Sequence, residues 1–314
     1  PMIAKFVIQV LLAFVLAHAT FATANQGIDD NADTLMQVGE WQVNLAVGLG
    51  QRSAIVVGES DFDFYIAPNI AYYGEQFFFD NGALGYTFTQ QRNWALSAVT
   101  EFNPYAKYFD SSHPSNVFYP LTEGTSSAPD YEFESIADEP TTGDDRVEDA
   151  GEYPAIQRPL TNQTSSDKRT RRWSADAGLL VNYFVSDTQQ MSLKLVGDVA
   201  NLHNGWRVVA NWSLLINQWL PESLNGQVSI AGNWVDDNNS NYYFGYQSKD
   251  ANLNYQLESL FIPSIAFTIE RPVTKKLAVV VHYKYQSLPA EMTDSPLVVK
   301  QDIVTQFLGL SYAF

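Results

Sequence analysis

From Trp41 to Phe314 the chain is a series of segments of about ten residues in which apolar side chains take turns with polar or small ones. A period of two belongs to a β-strand, whose successive side chains point to opposite faces. In residues 191–199, Met191, Leu193, Leu195 and Val199 stand opposite Lys194 and Asp198. In 277–286, Leu277, Val279, Val281, Tyr283 and Tyr285 stand opposite His282 and Lys284. The pattern runs to the last residue, where Leu308, Leu310, Tyr312 and Phe314 share one parity. Ends of soluble domains are usually loose and polar. An apolar face that reaches the end must lie against a core or against lipid.

About eleven such segments follow one another, and aromatic residues gather at their ends: Trp41, Tyr72, Trp94, Trp173, Tyr183, Trp206, Trp219 and Trp234. Alternation with aromatic girdles is the pattern of a transmembrane barrel. A soluble β-sandwich also alternates, but needs neither the girdles nor the apolar terminus. An open sheet edge is untenable in lipid, so the strands must close. With both ends on one side the strand number is even. One segment is therefore split or missed. Either Asp80-Asn81-Gly82 divides 76–90 into a hairpin, or 241–247 pairs as a strand. The expectation is an all-β, transmembrane antiparallel β-barrel of about twelve strands, with ten to fourteen allowed. A further segment, 64–73, is expected to place Phe64, Ile66 and Ile70 on one face.

Lys5, the apolar run Phe6–Ala17 and the small-residue triplets at 17–19 and 22–24 read as an export signal cleaved after Ala24. Twelve apolar residues are too few for a membrane helix. The expected organisation is thus a signal peptide over 1–24 and an outer-membrane barrel over 25–314, facing the outside of a Gram-negative cell. The absence of cysteine excludes disulfides and thiolate metal sites. A net charge of −17 argues against nucleic acid. No cofactor and no metal are expected.

Outer loops of such barrels are the long ones. Short connections at 185–190, 220–226 and 271–276 read as periplasmic turns, and 109–172, 237–258 and 287–302 as outer loops. The last strand then runs down to the periplasm, where Tyr312 and Phe314 can serve as a signal to the barrel assembly machinery. Glu101, Asp176, Lys194, Asp198, Arg207, Glu270, His282 and Lys284 are expected to face the lumen, which at about twelve strands is narrow and more readily filled than open. The loop 109–172 is acidic, with twelve carboxylates and one arginine between Asp110 and Glu152, and closes on Lys168, Arg169, Arg171 and Arg172. Those four are candidates to meet phosphates of lipopolysaccharide at the lipid surface. Residues 234–243 have spaced oxygen side chains but lack the glycine and terminal glutamate of a calcium loop, and read as a polar loop. His113, His203 and His282 have no nucleophile motif beside them, so no catalytic residue is assigned.

The stretch 241–251 (NYYFGYQSKDA), the run 285–300 with Thr293-Asp294-Ser295-Pro296, the Phe-rich segment 76–88 and the closing LSYAF together resemble the MltA-interacting protein/OmpV family of Gram-negative outer-membrane proteins. The resemblance covers 38–108 and 173–314. It implies an outer-membrane barrel without enzymatic activity, acting as a scaffold that joins a murein hydrolase to a peptidoglycan synthase. It also leaves a narrow channel or receptor for small polar solutes or antibiotics, or an adhesin-like surface role, as alternatives.

Overall fold

The computed structural model describes residues 38–118, 171–247 and 254–314. The expected signal at 1–24, most of the acidic stretch, Lys168 and Arg169 lie outside these residues. Twelve antiparallel strands form one closed barrel. They are β1 (Trp41–Arg52), β2 (Phe62–Tyr73), β3 (Phe77–Asp80), β4 (Ala83–Gln91), β5 (Trp94–Phe102), β6 (Ala175–Ser186), β7 (Gln189–Asp198), β8 (Trp206–Leu215), β9 (Asn225–Val235), β10 (Leu260–Pro272), β11 (Leu277–Ser287) and β12 (Asp302–Ala313). Each pairs with its chain neighbours, and β1 closes on β12 from Asn44↔Ala313 to Arg52↔Thr305. The longest connections, between β5 and β6, β9 and β10, and β11 and β12, all lie at one rim, the loop end, and the other rim has shorter ones, from the Asp187-Thr188 turn to 216–224 between β8 and β9.

The outer surface is an apolar band. Leu49, Tyr65, Leu193, Leu195 and Leu310 are all exposed, with Trp41, Trp206, Trp219 and Trp234 towards strand ends. A water-soluble protein rarely leaves so much contiguous apolar area bare. Around a closed barrel it is the surface that hydrocarbon covers. No helix among the described residues is long and apolar enough to cross a membrane; the strands do so.

The missing strand comes from the split at Asp80-Asn81-Gly82. Asn81 (φ 48°) and Gly82 (φ 93°) both occupy the left-handed region. That is the two-residue hairpin turn for which Asn-Gly is the favoured pair. The other candidate, 241–247, is not a strand: Asp237–Phe244 is helical. Residues 234–243 are therefore not a simple polar loop either, because Asp236 caps the helix by accepting the Asn239 N–H (3.0 Å).

In β2 the expected parity fails. Phe64 is buried in the lumen whereas Ile66 is 56% exposed. The register against β1 slips between Val47↔Ile66 and Gly50↔Phe64 while β1 stays in continuous register with β12, so the alternation of β2 is interrupted there and the two side chains lie on opposite faces. Gly50 makes the inward turn of Phe64 feasible, since a Cβ there would stand 2.3 Å from the Phe64 ring.

Candidate functional site

The connections at the loop end fold together. Pro104–Tyr108 forms a 3-10 turn, Pro114–Val117 a single helical turn (α1), Asp237–Phe244 an α-helix (α2) and Ala290–Thr293 another single turn (α3). Tyr105, Ala106 and Tyr108, Tyr243 and Phe244, Leu288 and Met292, and Ile55 and Val56 form one buried cluster with Val235, Leu260, Ile262 and Ile303 from the upper inner wall. Four loops thus carry a small hydrophobic core into the mouth of the barrel. The Tyr105 ring lies edge-on to Phe244, with centroids 5.5 Å apart.

Side-chain bonds lock this cap. Ser295 is buried and donates to the Phe244 carbonyl (2.6 Å). Thr293 donates to the Ala290 carbonyl (3.1 Å), and Asp294 closes the α3 turn before Pro296. Tyr255 reaches the Glu291 carbonyl (2.8 Å), and Lys300 pairs with Asp61 (2.6 Å). Two of the stretches that carry the family resemblance, 241–251 and 285–300, therefore touch each other through Phe244 and Ser295.

Arg171 is also part of the cap. Its guanidinium donates to the Tyr243 (3.2 Å) and Gly245 (3.1 Å) carbonyls at the end of α2 and stacks over Phe109 and Tyr242. These are carbonyls that a helix C-terminus leaves without partners. The guanidinium thus turns inward to the cap, whereas Arg172 remains exposed. His113 is buried beneath Phe102 and Trp173, and its Nδ1 accepts the Ser115 N–H (3.1 Å). Burial, and then the charge of Lys107, hold its pKa down at about 4. Arg52 on β1 donates to Asn116 (2.6 Å), joining wall to cap.

Below the cap lies a charged cluster on the inner wall. Glu101 accepts from Lys194 (2.5 Å) and from Arg207, and Arg207 also reaches Asp176 (3.4 Å). Asn103 donates to Asp176 (2.9 Å). Three strands, β5, β6 and β8, and β7 between them supply these groups, so opposite charges compensate one another away from bulk water. Asp198 stands beside Asp176 in register but serves the β7–β8 connection. Its carboxylate accepts from Ser174 and from the N–H groups of Ala200, Leu202, His203 and Asn204. His282 meets Thr268 (3.0 Å) on the opposite wall, with Lys284 and Glu270 farther along β11 and β10. Tyr312 and Phe314 lie at the turn end in edge contact.

Asp176, Asp198 and His203 bring ligand-type atoms within 4.8 Å of one another. The surroundings do not suit a cation. Asp198 is filled by five donors, and His203 Nδ1 accepts the Gly205 N–H (3.0 Å), which places the imidazole hydrogen on Nε2. Arg207 adds a positive charge beside Asp176.

Asn103, Ser174 and His203 carry much of this arrangement without having been candidates. One signal was readable: Asn103-Pro104 is a capping residue followed by proline, a helix-start signature.

A family model described as MltA-interacting protein MipA matches residues 45–314. A curated relative named as an outer membrane protein, YiaT of Escherichia coli (strain K12), is 25% identical over 122 residues, which is 37% of this chain and 48% of that one. The chain thus matches about half the length of this relative. Among solved structures, the CymD monoaromatic hydrocarbon channel aligns with 89% of each chain at 9% identity and a TM-score of 0.37. The outer membrane protein OprD from Pseudomonas aeruginosa aligns with 87% of this chain and 65% of its own at 11% identity and a TM-score of 0.32.

Proposed function

Because the chain belongs to the MltA-interacting protein MipA family of the outer membrane, we propose that it is a non-enzymatic scaffold holding murein-processing enzymes at the periplasmic side. The observation that carries this reading is the cap: a hydrophobic core fills the mouth at the loop end, as expected of an anchor rather than an open pore. In this orientation the loop end faces outward and the short turns face the periplasm. Lipid surrounds the apolar band, and lipopolysaccharide surrounds the outer rim. The family name supplies the partner class, a murein enzyme of the MltA type. The test is capture of a purified lytic transglycosylase of that type by the full chain in detergent micelles. Saturable retention at micromolar concentration is expected; retention no greater than on an unrelated barrel would defeat the proposal.

A second reading, a narrow channel for small polar solutes, is favoured by one observation. The lumen wall below the cap carries both signs of charge, with Glu101, Asp176, Lys194 and Arg207. Single-channel recordings separate the two, because a scaffold needs no openings.

A further inference from the structure

The cap and the charged cluster meet at a set of buried polar atoms. Asp176 Oδ1, Arg207 Nε, Asn233 Oδ1 and the Tyr243 hydroxyl are all buried without a hydrogen-bond partner in the protein. Two are donors and two are acceptors, counting the hydroxyl as a donor. They come from three wall strands and from the cap helix, and their residues are neighbours where cap and wall meet. The Tyr243 ring lies 5.8 Å from the His203 ring, whose Nε2 is 3.7 Å from Asp176 Oδ1. The Tyr105 ring lies 5.9 Å from that of Tyr243, and its hydroxyl accepts from the Asn233 amide (2.9 Å).

Nearly all buried polar groups in native proteins find partners, because leaving one desolvated and unbonded is costly. A single orphan can be local strain. Donors and acceptors grouped between a cap and a wall instead match the two to four partners that a buried water takes. Burial, together with the nearby carboxylate of Asp176, raises the Tyr243 pKa, so the hydroxyl keeps its proton and remains a donor.

We propose that bound water joins the Tyr243 hydroxyl to Asp176 and Arg207, and that this bridge latches the cap to the barrel wall. The latch is independent of whether the barrel holds a murein enzyme. It gives the charged cluster a second role. Besides balancing its own charges, the cluster presents a carboxylate oxygen and a guanidinium N–H upward as the floor on which α2 rests.

The chain has no cysteine, so a cysteine at Ala106, in the buried core of the cap, reports cap opening through its rate of reaction with a water-soluble maleimide. The full chain carrying Ala106→Cys would be compared in micelles with added Tyr243→Phe, with added Asp176→Asn, and with both. The bridge requires each single change to speed labelling about ten-fold, equivalent to about 1.4 kcal/mol. It also requires the pair to add little beyond the larger single effect, because both break one linkage. Tyr243→Phe is the decisive variant, since it removes only a hydroxyl. If labelling is unchanged or slower, the hydroxyl was an unpaired group better removed, and the latch is overturned. Additive effects of the two changes would overturn it as well.

Discussion

The wall and the cap are held by opposite strategies. The wall is redundant: β11 and β12 pair continuously from Leu277↔Tyr312 to Ser287↔Asp302, and no single side chain decides that ladder. The cap depends on particular atoms, among them Ser295 on the Phe244 carbonyl, Arg171 on the end of α2, and Arg52 on Asn116. In lipid every backbone group must be satisfied internally, so the strands have one solution, closure. Loops at the rim are free of that constraint and take their order from side chains instead. The wall should therefore fail globally and the cap locally.

The largest effect is expected where the wall carries its own specific chemistry. Arg207→Met leaves Asp176 and part of Glu101 without a counter-charge, and breaking a buried pair on one side costs about 3–5 kcal/mol. Urea unfolding in micelles should show the loss for the whole barrel. A change under about 1 kcal/mol would mean that the cluster is hydrated and not structural.

Next comes the face assignment. Leu193→Arg, on the lipid side, should cost about 2–4 kcal/mol if it lies near the midplane, whereas Ser192→Arg, on the lumen side, should cost clearly less. Equal losses would show that the two faces of β7 had been confused.

In the cap, Ser295→Ala removes one buried bond and should cost about 1–3 kcal/mol. Hydrogen exchange is the suitable readout: protection should fall in α2 and α3 while β10–β12 stay unchanged. Loss of protection spreading through those strands would show that cap and wall form a single cooperative unit.

The smallest expected effect is a response to pH. His113 folds with its pKa lowered from 6.5 to about 4 by burial. Its contribution is complete above 6.5, and it declines as pH falls towards 4, because only the unfolded loop gains a proton in that window. Cap protection factors, which divide out the intrinsic pH dependence of amide exchange, should fall over this range in the native chain and stay flat in His113→Phe. The same fall in both would assign the effect to other groups.

Legibility follows the same division. The strands from β6 to β12 are readable because lipid on one side and a polar lumen on the other impose a strict period of two. The Asn81-Gly82 hairpin was readable as one of two options because its turn demands residues that tolerate positive φ. β2 was not: a register slip against β1 interrupts its period, and no residue in the segment announces the slip that separates Phe64 from Ile66. In the cap, 293–296 was visible as part of the family resemblance, but its hold on α2 comes from a long-range contact that spacing cannot reveal. The helix over Asp237–Phe244 was hidden for a related reason. Its Asn- and Tyr-rich sequence is a weak helix former, and the cap core around Tyr243 and Phe244 overrides that propensity. Of the candidate lumen residues, Glu101, Asp176, Lys194 and Arg207 meet in one cluster; Asp198, on the same parity, instead organises a loop.

Planar-bilayer recording of the purified full chain tests most directly the claim that a folded cap seals the barrel. The native chain should give no stable current steps, and a variant in which 237–244 is replaced by a short Gly-Ser turn should open to discrete steps. Long-lived openings of the native chain, at the same conductance as the variant, would contradict a sealed mouth.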